Sequence, residues 1–134
     1  MTPLEIMQQL AATWAPDAMA NPATARSWAE LFDPGIVLVE PPSLPHGGVH
    51  QGIDAFHQAQ AGMRELWEQH IEGAEYWQCA PDRVTLRIVI RWTARSTGRS
   101  VVLPMIDLIR FGDGKIIGVE AFVFDTAALL GTLK

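Results

Sequence analysis

The sequence predicts an α+β fold in which a curved antiparallel sheet forms a cone around N-terminal helices packed on one face, enclosing a pocket. Three observations carry this expectation. Apolar residues recur every three or four positions through most of the first half of the chain, whereas from Val84 onward they recur every second position. The pair Asp113-Gly114, between two such alternating runs, is a strong short-hairpin signal.

The elements follow in order. Thr2-Pro3-Leu4-Glu5 reads as a helix start, because Thr accepts a backbone N–H, Pro suits the first helical position and Glu reaches back. This first helix is expected to bury Leu4, Met7, Leu10 or Ala11, and Trp14, and to stop at Pro16. Asn21-Pro22 starts a second helix with Trp28, Leu31 and Phe32 on one face, ended by Asp33-Pro34-Gly35. Ile36-Val37-Leu38-Val39 is a short strand, followed by Glu40 and a stiff, turn-rich loop from Pro41 to Gly48. Helical spacing returns from Ile53 to His70 through Phe56, Ala59, Met63, Leu66 and Trp67. Val84, Leu86, Ile88, Ile90 and Trp92 form one face of a strand, Thr97-Gly98 turns the chain, and residues 101–111 and 115–124 make two more strands. Asp125 then caps a short last helix. No repeat or linker interrupts this order, so residues 1–134 read as a single domain.

Composition narrows the function. A net charge of −5 with ten scattered Lys and Arg offers no concentrated basic surface for nucleic acid or anionic membrane. The run Arg87, Arg91, Arg95, Arg99 alternates with other residues and marks a solvent face. Cys79 alone forms no disulfide framework, and no Cys/His spacing fits a metal, so no metal or cofactor is expected. The start Met1-Thr2-Pro3-Leu4-Glu5 lacks the basic opening and apolar run of a signal peptide, and no stretch approaches the roughly 20 apolar residues of a membrane span. A cytoplasmic protein is the expectation.

The chemistry centres on two carboxylates. Asp107 is the single charge in the row Leu103, Met105, Asp107, Ile109, Phe111, whose side chains share one face of a strand. A carboxylate among apolar neighbours either finds a partner or raises its pKa and becomes a neutral donor. The opposite row, Ile106, Leu108, Arg110, is no more polar, so the pattern leaves open whether Asp107 faces a cavity, solvent or another subunit. Glu40 ends an apolar strand before a rigid loop, where it serves either as a base at a cavity mouth or as an ordinary solvated strand end. The remaining cavity wall is expected to be apolar: Leu86, Ile88, Ile90, Trp92, Leu103, Met105, Val119, Ala121 and Val123, with Trp14, Phe56 and Met63, suiting a hydrophobic ligand. His46 and His50 flank Gly47-Gly48, where an imidazole can assist a reaction or cover the pocket, whereas His57 and His70 have no metal-binding spacing. Glu120 falls on the opposite row and suggests the outer sheet face, with a dimer contact there.

Several segments together resemble the nuclear-transport-factor-2-like superfamily, in its SnoaL-like and ketosteroid isomerase-like branch. They are Leu31-Phe32-Asp33 leading into Val39-Glu40-Pro41, Gly52 opening the third helix, Asp107-Leu108-Ile109-Arg110-Phe111, and Asp113-Gly114-Lys115-Ile116. The resemblance covers nearly the whole chain and implies a cone-shaped fold and a common, though not universal, homodimer. In ketosteroid isomerases an Asp before a Pro is the general base, a position matched by Glu40. An Asp in an Asp-x-x-Arg-Phe strand is kept protonated and donates to the oxyanion, a position matched by Asp107. The Tyr that completes that site has no counterpart: the first helix offers Gln8, Gln9, Thr13 and Trp14, and the chain's one tyrosine is Tyr76. Compared with limonene-1,2-epoxide hydrolase, Ile88, Ile90 and Ala121 stand where an Arg and two Asp belong, which excludes that activity. The implied function is proton transfer on a hydrophobic carbonyl compound, as an isomerase, cyclase or dehydratase. The alternatives are a binder without turnover and a dimerising structural module.

Overall fold

A computed structural model describes residues 1–134. Helix α1 (Pro3–Ala12) is capped by Thr2, whose hydroxyl accepts from the Glu5 N–H at 3.2 Å, and α2 (Pro22–Glu30) by Asn21, which accepts from the Ala23 N–H at 2.9 Å. A short 3-10 turn (Ala18–Ala20) links them. The face α1 buries is Ile6 and Met7, whereas Leu4 is 40 % exposed, contrary to the expected stripe. Trp14 lies beyond the helix end, so it no longer fixes the rotation that places Leu4 inward.

Strand β1 (Phe32–Glu40) begins inside the stretch expected to end α2, and its pairing is irregular between Phe32 and Val37. Asp33-Pro34-Gly35 therefore makes a bulge rather than a loop. β2 (Gly48–Gln51) is a four-residue strand that begins at the last residue of the expected loop and fills the interval before the third helix, paired antiparallel to β1. Helix α3 (Ile53–Leu66) stops four residues short of the expected His70. There the chain enters β3 (Trp67–Ala80), a strand where helical spacing predicted more of the third helix. β3 lies at the sheet edge and is largely exposed, so it lacks the alternation that betrays β4 (Arg83–Ala94). β5 (Ser100–Gly112) and β6 (Lys115–Val123) meet at Asp113 and Gly114, both at positive φ (51° and 74°), as a two-residue primed turn requires. Helix α4 (Thr126–Gly131) is capped by Asp125.

The strand order is β2-β1-β6-β5-β4-β3, and β1 runs parallel to β6 while every other neighbour is antiparallel. The sheet is thus mixed, curved and unclosed, its strands bent at irregularities in β1, β3 and the β5/β6 pair. α1, α2 and α3 cover one face, where the core runs through Ile6, Met7, Phe56, Trp67, Leu86 and Ile109. The other face exposes Val102, Leu108 and Phe122 to solvent. No helix is long and apolar enough to cross a membrane.

Candidate functional site

Register brings the two carboxylates together. Val39 pairs with Glu120 across β1/β6, so Glu40 stands beside Ala121, which is itself the partner of Asp107 across β5/β6. Glu40 and Asp107 thus flank Ala121, two interstrand spacings or about 10 Å apart at the backbone. The methyl of Ala121 is the only side chain between them in this row.

Both carboxyls line a cavity of about 930 Å³ between the sheet and the helices. A second space of about 170 Å³ lies deeper, against Leu38, Phe56, Ile109 and Ile116. Six residues border both: Glu40, Ile88 and Asp107 from the sheet, and Trp14, Trp28 and Gln60 from the helical side. Coming from the sheet and from the helical side, they mark the junction of the two spaces, here called the constriction, and the carboxyls stand on it. Glu40 therefore sits inside the molecule and not at a cavity mouth.

Desolvation dominates the electrostatics. Burial, reinforced by the charge of Asp107, pushes Glu40 from its ordinary 4.5 to about 8, and burial alone pushes Asp107 from 3.8 to about 7. No Lys or Arg offsets either shift. Asp107 as a residue is half-buried because it borders the cavity, yet its Oδ1 is fully shielded and has no hydrogen-bond partner. The charge of Asp107, when ionised, helps to hold the proton on Glu40.

His46 is not a cover over the cavity. It is 7 % exposed, packs edge-on against Trp67 with ring centroids 6.0 Å apart, and brings Nε2 to 3.8 Å from Glu40 Oε2. That separation is too long for a hydrogen bond, and neither ring nitrogen has a partner. Burial, then the nearby His50, pushes His46 below its ordinary value while Glu40 is pushed up, so the two meet as neutral groups rather than an ion pair. The loop that seats His46 depends on Gly47, where a Cβ would collide with the backbone of Pro41 and Leu44. His50 ties the same loop with an Nε2 contact of 2.8 Å to the His46 carbonyl.

Among the other expected wall residues, Trp14, Met63, Ile88, Ile90, Trp92 and Met105 line the larger space, and Phe56, Leu86 and Val119 the smaller. Leu103, Ala121 and Val123 line neither: Leu103 and Ala121 are core, and Val123 packs against the core near the end of β6. The larger wall is also less apolar than expected, since His57, Gln60, Arg64, Gln69 and His70 contribute to it. His57 and His70 belong to no metal-holding cluster. Gln60 was overlooked although its signal was present, four residues after Phe56 and three before Met63 on the buried stripe of α3. Its Oε1 accepts from Arg64 Nη2 at 3.1 Å, leaving its amide N–H groups free. On the first helix, Gln9 contacts Met1 and the Thr13 hydroxyl is spent on the Leu10 carbonyl, while Tyr76 lies in β3 and borders neither space.

Solved structures of this shape are numerous. An NTF2-like protein from Burkholderia xenovorans LB400 superposes with a TM-score of 0.80 at 20 % identity, over 100 % of this chain and 98 % of its own. TerC, co-crystallised with polyporic acid, gives 0.77 at 17 % identity over 96 % and 97 %. A putative SnoaL-like polyketide cyclase from Jannaschia sp. CCS1 gives 0.73 at 16 % identity over 99 % and 95 %. These likenesses establish the fold. No curated protein sequence matches the chain. The profile of the SnoaL-like domain matches residues 13–119, from just past α1 to the middle of β6, and on that match the chain belongs to the SnoaL-like domain family.

Proposed function

We propose that the protein is a cofactor-independent enzyme that moves a proton next to a carbonyl in a largely apolar small molecule. The observation that carries this reading is the pair Glu40 and Asp107, two desolvated carboxyls on either side of Ala121, facing one cavity with no cation to pair them. Both carboxyls are pushed up towards neutral pH and are coupled by charge, so the pair passes through a singly protonated state there. One member is then a base stronger than an ordinary carboxylate and the other an acid, and both are needed to enolise a ketone. The ionised carboxylate takes the proton from carbon, and the neutral carboxyl donates to the developing oxyanion. Returning the proton to a second carbon completes an isomerisation. Either member of the pair can be the base while the other donates, because the two carboxyls titrate as a unit.

The test is hydrogen–deuterium exchange at the α-carbon of steroid, polyketide and terpenoid ketones in D2O, followed by NMR. Exchange above the protein-free rate that falls in both Glu40→Gln and Asp107→Asn supports the reading. Ligands that bind without any exchange sink it. They would leave a binding protein for apolar ligands, a second reading favoured by the absence of a tyrosine from the constriction.

A homodimer through the outer sheet face is part of the proposal. Trp77, Val102, Leu108 and Phe122 are between 42 % and 49 % exposed there, beside the acid Glu120 and the base Arg87. Light scattering that gives a dimer for the native protein and a monomer for Phe122→Arg supports it, whereas a monomeric native protein removes it.

A further inference from the structure

The two spaces differ in size and in the residues that line them beyond the shared ones, and the carboxyls stand between them. The inner chamber, about 170 Å³, is walled beyond the constriction by Leu10, Phe32, Leu38, Leu86, Ile116 and Val119. No polar side chain other than the rim residues Glu40, Asp107, Gln60 and the two indoles reaches it. A cavity of roughly 150 Å³ is large enough for one benzene ring. The outer chamber is several times larger and carries His57, Arg64, Gln69 and His70 on its wall. A ligand that ended at the carboxyls would leave the inner chamber empty, forgoing the contacts that its walls offer.

We propose that the substrate spans the constriction: its reacting carbonyl lies at Glu40 and Asp107, an apolar branch of about one ring fills the inner chamber, and a larger, polar-edged remainder lies in the outer chamber. This rests on the proton-transfer reading for the word carbonyl, but the occupancy of the inner chamber does not. The substrate class is then an enolisable ketone substituted on both sides of its reacting centre, as an aryl or branched-alkyl ketone of a larger skeleton is. A compound whose carbonyl terminates the molecule is a poor fit.

The probes are phenol, 4-isopropylphenol and 4-phenylphenol, whose hydroxyl stands in for the enol, with affinities measured by calorimetry. The native protein is expected to bind 4-phenylphenol at least 10-fold more tightly than phenol. That ratio should fall to about one in Val119→Phe and in Leu10→Phe, which fill the inner chamber from opposite walls. An unchanged ratio in both, or a ratio abolished only by Met63→Phe in the outer chamber, overturns the proposal. NMR contacts in the native protein give a check free of folding effects. Phenyl protons near the Val119 and Leu86 methyls support the inner placement, and contacts confined to Ile90 and Met105 refute it. Phenol affinity that ignores both Asp107→Asn and Glu40→Gln, with the size ratio retained, defeats the proton-transfer reading while leaving the spanning ligand intact.

Discussion

The carboxyls at the constriction and Glu72 on β3 are chemically alike and behave in opposite ways. Glu72 is exposed and accepts from Arg91 Nε at 2.8 Å, so this hydrogen bond holds its carboxyl below the ordinary value. Glu40 and Asp107 have no such donor and are pushed up by burial. A carboxyl that water and a guanidinium both serve remains a constant anion, and one that neither serves becomes a proton reservoir near neutral pH. The contrast separates a surface ornament from a group able to do chemistry.

The largest effect expected from breaking the contrast is on proton transfer. Asp107→Asn and Glu40→Gln each should lower α-exchange by at least about 100-fold, the usual scale for a positioned acid or base. Their pH profiles assign the roles: the variant that abolishes the lower limb near pH 7 has lost the base.

Stability comes next. A carboxyl whose folded pKa lies above its unfolded value favours the folded state fully below the unfolded pKa. It loses that advantage as pH rises through the folded value. The window here runs from the ordinary 3.8 and 4.5 up to about 7 and about 8. The native protein should therefore be weaker at pH 9 than at pH 5, and Asp107→Asn should stabilise the fold by roughly 2–4 kcal/mol more at pH 9 than at pH 5. Thermal melts at the two pH values measure this. A native protein equally stable at both contradicts the burial of the pair.

Gly47→Ala tests burial as the cause. The collision with Pro41 and Leu44 should cost about 1–3 kcal/mol and loosen the loop behind Glu40. Carbon-13 titration should then find the Glu40 pKa moved from about 8 back toward 4.5. The smallest effect belongs to Glu72→Gln, which should leave the melting temperature unchanged, since an exposed ion pair contributes little.

Much of the fold was legible because its signals are local. The caps at Thr2, Asn21 and Asp125, the alternation through β4 and the Asp113-Gly114 turn each need only neighbouring residues. β3 was not legible, because an edge strand with both faces largely wet has no alternation to read. β2 was hidden in the same way, as four residues among prolines and glycines. The parallel pairing of β1 with β6 joins residues some 80 positions apart, which no local pattern encodes.

For the site, the sequence by itself determined that Asp107 is the lone charge in an apolar row and that Glu40 closes an apolar strand. Composition and the family's motifs made both candidates. Tertiary structure alone decided that they flank Ala121 at one constriction, that His46 stands behind Glu40, and that Gln60 joins the rim. It also decided that both carboxyls are pushed up, because a pKa depends on what solvent and charge surround a group. Those surroundings come from strands far apart in the chain.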